Sequence, residues 1–132
     1  MPAIKKETVA EVVAEASQKM NDANYSAVLV GGFVQAQTPI VQFVSAHEPE
    51  LGGAEAIVHV IFHAALIGQV FARGHGRTPR MISFEDLDGA SGGDSMAKLA
   101  KGQPFVHGFI EENVENPEAR KLLALIALAM DR

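Results

Sequence analysis

The chain has 132 residues, with 11 Lys and Arg against 16 Asp and Glu, for a formal net charge of −5, a balance that argues against a protein whose main task is gripping nucleic acid. Apolar residues make up 48% of it and glycine holds 12 positions, so the weakly apolar, highly charged signature of disorder is missing and a single helical domain over residues 1–132 is expected. The absence of cysteine excludes a disulfide scaffold, a thiolate zinc site and a cysteine nucleophile together.

The opening residues carry Lys5 and Lys6 but run into a Glu-rich amphipathic stretch rather than an apolar run with a cleavage site, so the expectation is a cytoplasmic protein. Over residues 8–20 the apolar positions Val9, Val12, Val13, Ala16 and Met20 recur at three and four, with Glu11, Glu15 and Lys19 on the other side, which predicts an amphipathic helix. Thr8 and Glu11 fit a capping box at its start. Asn21, Asp22 and Asn24 break the pattern and offer a cap to the next element.

Residues 25–47 admit two readings. The β-branched residues around Gly31 and Gly32 fit a hairpin over residues 25–37. A helical period accounts for more positions: apolar pairs at 29/30, 33/34, 40/41 and 43/44 alternate with polar or small residues at 31, 32, 35, 38, 42 and 45. Thr38-Pro39 marks a kink or a fresh helix start. Residues 48–53 read as a loop. Residues 54–73 are apolar almost all round, as befits a central helix, closed by Gly74, Gly76 and Pro79. Residues 80–87 read as a strand or extended loop and residues 88–94 as a flexible connection. Asp94 or Ser95 then caps a short helix ended by Gly102 and Pro104, Phe105 to Ile110 begin another, and Asn116-Pro117 opens a last helix rich in Leu, Ile and Ala.

The expected architecture is all-α, a compact bundle-like domain of five to six helices around a central apolar helix, with an α+β fold carrying a small hairpin as the alternative. Residues 54–72 and 122–130 approach membrane hydropathy. The first contains Glu55, His59, His63 and Gln69, and the second is half the roughly 20 residues a span needs. Both read as core helices, and no membrane partner is expected.

Four constellations bear on chemistry. Glu55, His59 and His63 are each four residues apart, advancing about 40° per step, so they share one face of the central helix. Two imidazoles at that spacing reach one metal ion, with a carboxylate a turn away as further ligand or base. His107 and Glu111 repeat the spacing later, and the two helices together would supply a transition metal such as Fe or Zn with ligands from inside a bundle. These His-x3-His and His-x3-Glu spacings resemble those of hemerythrins, helical iron proteins with such pairs in the bundle core; here the pair order is reversed and no matching final His and Asp completes the set. The bland reading is that Glu55, His59, His63 and Arg73 form a solvent edge, with His107 and Glu111 on the polar side opposite Phe105 and Phe109.

Residues 73–80 gather Arg73, His75, Arg77 and Arg80 on a Gly-containing loop, a set able to grip an anion or an acidic partner bidentately. The end of a helix points carbonyls outward, so compensation of the helix dipole is the plainer reading. Gly89-Ala90-Ser91-Gly92-Gly93 matches a nucleophile elbow in letters but lacks the sheet that elbow requires, and Glu85, Asp86, Asp88 and Asp94 fail the calcium-loop pattern at its sixth and twelfth positions.

Two helices apolar all round are hard to enclose in so small a domain, which points to a homodimer. The functional expectation is a self-associating helical interaction module, open to a further protein partner, with no catalytic machinery and no required cofactor. The alternative is a metal-binding protein using Glu55, His59, His63, His107 and Glu111.

Overall fold

A computed structural model describes residues 3–131. Among them the chain forms nine helices and no strand: α1 Lys6–Lys19, α2 Ala23–Ala36, α3 Thr38–Ser45, α4 Glu48–Leu51, α5 Ala54–His75, α6 Phe84–Ala90, α7 Ser95–Gly102, α8 Pro104–Asn113 and α9 Pro117–Met130. The all-α class holds, and the hairpin alternative gives way to helix. Gly31 and Gly32 take no left-handed backbone, and the polar or small positions at 31, 32, 35, 38, 42 and 45 all face solvent as a 3.6-residue period requires.

The count exceeds the five to six expected because three boundaries fall where local chemistry overrides the coarse pattern. Gln37 leaves the helical region at φ −131°, Pro39 opens α3, and the chain bends by 100° between α2 and α3. Residues 48–53, expected as loop, hold one turn, α4, which Gly52 ends with φ +101°. Residues 84–90, expected as an extended patch and flexible connection, are helical: Ser83 accepts from the Asp86 backbone N–H while the Asp86 carboxylate takes the Ser83 N–H, a reciprocal cap at the first turn. The cap expected at Thr8 is not used. The helix starts at Lys6, with Lys5 as an N-cap that makes no side-chain hydrogen bond. Asp22, Asp94 and Asn116 cap α2, α7 and α9 with their side chains as their sequence positions suggested.

α5 and α9 cross at the centre. α1, α2, α3 and α4 lie on α5, while α6, α7 and α8 pack around α9. One apolar core runs through both groups, with Phe71, Ile67, Ile40, Leu123, Ile126, Ile110 and Leu99 essentially sealed from solvent. Gly76 ends α5 with φ +72°, a conformation that suits glycine because it has no Cβ to clash. Gly74 serves a different need. A Cβ there would stand 2.8 Å from Cγ1 of Ile4, which is buried against this turn.

Two buried glutamines fasten non-helical segments beside the core residues Ile82 and Ile4. Gln37 donates from Nε2 to the Arg80 carbonyl (2.8 Å) and accepts at Oε1 from the Ile82 N–H (2.8 Å). The extended stretch 77–83 is thereby stitched to the α2–α3 corner. Gln103, at the α7–α8 junction, accepts from the Ile4 N–H (2.8 Å) and donates to Asp131 Oδ1 (2.9 Å), joining both ends of the described chain. Both occupy the same local setting, the C-cap of one helix and the N-cap of the next, with a proline in the following turn. That setting turns an uncharged polar side chain inward while its backbone reverses direction.

Candidate functional site

The five residues expected to converge on a metal do not gather on one centre: His59 lies by His63 and His107 by Glu111, with no third member joining either pair among the described residues. On α5, Glu55 and His59 are exposed and His63 is buried, so the solvent-edge reading also fails at its third member. His63 donates from Nδ1 to the His59 carbonyl (2.8 Å). Its ring lies 4.2 Å from that of His59 and is flanked by Phe62 and Phe109 at 5.4 and 6.1 Å. Burial pushes the His63 imidazole below its usual pKa, the hydrogen bond to the His59 carbonyl partly opposes this, and the charge of a protonated His59 adds to the depression. It is α8's Phe109 that reaches α5. His107, two residues earlier and about 160° around the helix, pairs instead with exposed Glu111 of its own helix at 3.3 Å. Among the described residues no three His, Asp or Glu side chains stand close enough to share a metal ion.

The basic segment at the end of α5 is largely neutralised from within. Arg73 hydrogen-bonds Glu15 and lies 3.9 Å from Glu11, both on α1, and Arg73, followed by Lys19, holds the Glu15 carboxyl below its usual range. Arg80 grips Asp86 with both terminal nitrogens, at 2.7 and 3.1 Å. The Asp86 carboxyl is driven well below the ordinary carboxylate range by Arg80 first and by Ser83 second. His75 stands 3.8 Å from Asp131, whose carboxyl burial raises and the Gln103 hydrogen bond lowers. Only Arg77 of the four makes no ion pair among the described residues. Of this basic set, His75, Arg77 and Arg80 line a hollow of about 350 Å³.

The surface with the clearest unmet demand is α2, which by spacing alone reads as an ordinary amphipathic helix. Its fourteen residues include no charged side chain, and residues 23–46 as a run contain no Asp, Glu, Lys, Arg or His. None of its described side chains is buried. Leu29, Val30, Phe33 and Val34 lean half-buried on α5 and the core, while Val28 is 73% exposed. An apolar hollow flanks each side of this ridge. One, of about 390 Å³, runs between Leu29, Phe33 and Gly68 toward Pro79. The other, of about 480 Å³, lies between Val30, Met20, Val58 and Phe62, with Glu55 and His59 at its rim. Met20 and Val58 are themselves more than half exposed, so the ridge and this second margin form one continuous apolar, weakly charged surface. The signal is present in the sequence: a period-3.6 helix whose outward side offers alanine, glycine and valine where charges usually stand.

By length and composition α5 is apolar enough to cross a membrane, but half of that window is buried inside the fold, and α2 with α3 passes the same test only as a pair bent by 100°. Compared with protein-family models, with curated proteins and with solved structures, the chain matches none.

Proposed function

We propose that this chain is a small helical interaction module that works by self-association, with α2 as the docking face. The observation that carries this reading is the mismatch within α2, a helix without charge and with no described side chain buried. A solvated helix ordinarily presents charged residues outward, and leaving Val28, Met20 and Val58 in water forfeits apolar burial at about 25 cal/mol per Å². A second copy removes that surface without setting like charges on the ridge against each other, which matters for a chain of net charge −5. The alternative of a metal-binding protein would need His59, His63, His107, Glu55 and Glu111 on a common centre, and nothing in their placement favours it.

The test is sedimentation equilibrium across micromolar concentrations. A ridge of fourteen residues, about 21 Å long and about 10 Å across, projects on the order of 200 Å², short of the roughly 800 Å² per partner of a standard interface, so a weak dimer with micromolar dissociation constant is expected. Val28→Asp should return it to monomer with unchanged circular dichroism. A wild-type chain that stays monomeric up to hundreds of micromolar would refute the proposal.

A further inference from the structure

Resting on the reading of α2 as a self-association face, we propose that two copies pair antiparallel through α2, with Val28 of each chain seated over Gly31 of the other and the acidic start of each α2 facing the basic loop at the far end of its partner's α2.

The exposed stripe of α2 runs Asn24, Val28, Gly31, Gln35, at spacings of four, three and four, with Ala27 and Gly32 beside it. It reads the same in both directions about a point between Val28 and Gly31. A two-fold axis there sets Val28 opposite the partner's Gly31, Ala27 opposite the partner's Gly32, and Asn24 beside the partner's Gln35. Val28 is the most exposed large apolar side chain among the described residues. The glycines provide its seat: a Cβ at either would meet nothing within 4 Å, so no packing inside this chain accounts for two helix-weakening residues side by side. Without side chains at those positions the two backbones approach closely. Ridge meets recess in both directions at once, the self-complementarity an isologous interface requires.

The charges flanking the ridge select the orientation. Asp22 caps the N-terminal end of α2, exposed and without an ion pair among the described residues. At the C-terminal end Gln37 holds Arg80 and Ile82, and Thr78 and Pro79 line the same hollow as Ala36 and Gln37, so Arg77, exposed, without an ion pair among the described residues and next in the chain to Thr78, lies on the loop beside that end. Antiparallel pairing matches Asp22 with the partner's Arg77 twice and opposes the helix dipoles favourably. Parallel pairing would stack like charges at both ends.

The native chain has no cysteine, so single introduced thiols report geometry cleanly. Val28→Cys and Gly31→Cys, near the axis, should each self-crosslink under mild oxidation. Asn24→Cys should not, since its two copies would lie roughly 16 Å apart along the helices at 1.5 Å per residue, but it should crosslink with Gln35→Cys chains when the two are mixed. Asp22→Arg should weaken the dimer about tenfold, and Asp22→Arg combined with Arg77→Asp should restore it. Circular dichroism and urea midpoints of each variant separate loss of pairing from loss of fold. A dimer in which Asn24→Cys self-crosslinks, or in which the charge swap fails to rescue, overturns the antiparallel arrangement while leaving self-association intact. A strictly monomeric wild type, or a monomer that instead co-sediments with phosphatidylcholine vesicles, overturns both.

Discussion

α2 and α9 are each fourteen residues long, and both are dominated by apolar side chains, yet nine residues of α9 are buried and no described side chain of α2 is. The difference is one of position. α9 is surrounded by α5, α6, α7 and α8, whereas α2 rests on α5 and touches α3 at its end. Two helices of similar composition thus have opposite relations to water, one enclosed by its own chain and one exposed to whatever arrives. The expectation that two helices apolar all round would be hard to enclose together named α5 and α9: they pack on each other at the centre and α9 is mostly covered, while half of the apolar window of α5 stays uncovered. Apolar surface is also left over on α2, a helix with no charged residue, where α5 carries Glu55 and Arg73 and α9 carries Glu118, Arg120 and Lys121.

The contrast can be broken most forcefully on the enclosed side. Leu123→Ala removes a sealed side chain from the middle of α9 and should destabilise the monomer by about 2–5 kcal/mol in urea unfolding, the usual range for a core cavity. Gln37→Ala, at the corner where α2 turns into α3, strands the Arg80 carbonyl and the Ile82 N–H. It should lower stability by about 1–3 kcal/mol and speed amide exchange at Ile82 before the rest of the core opens.

A third measurement uses pH. His63 has its pKa depressed in the folded chain, so between that lowered value and the ordinary value near 6.5 the unfolded state holds a proton the native state does not. Stability is therefore complete above about pH 6.5 and declines as pH falls toward the folded pKa. Urea midpoints at pH 7.5 and pH 5 should show this slope, and His63→Gln should flatten it; an unchanged slope would mean that other groups set the acid response. The smallest effect is expected on the open side. Val28→Ala should alter monomer stability by no more than about 0.5 kcal/mol in urea unfolding at low protein concentration, while weakening the self-association proposed for α2.

Helix type and much of the capping were legible along the chain. The 3.6-residue spacing of apolar positions and the placement of Asp22, Asp94 and Asn116 act within a few residues, so a local reading recovers them. The 48–51 turn and α6 were missed because each is shorter than the two turns over which periodicity becomes visible, and α6 depends on a Ser83–Asp86 exchange that looks like loop chemistry. The candidate sites fared unevenly. Equal spacing placed Glu55, His59 and His63 near one helix face, but it could not say that the turn containing His63 lies beneath Phe109 while the turn containing Glu55 lies in water. Spacing also could not rotate α8 to reveal that Phe109, rather than His107, points toward α5. Gln37 and Gln103 gave no sequence signal at all, since every partner described for their side chains lies 28 or more residues away in the chain.

What the amino-acid order determined by itself is the set of cylinders, most of their starts and stops, and the exclusion of thiol chemistry, because those depend on side-chain shape and hydrogen bonds made within one or two turns. The tertiary structure decided which apolar helix is covered, which histidine is dry, which arginine is already held by a carboxylate, and where an uncharged ridge faces outward. Those outcomes depend on contacts between segments far apart in the chain, and their free energies exist only once the helices have met.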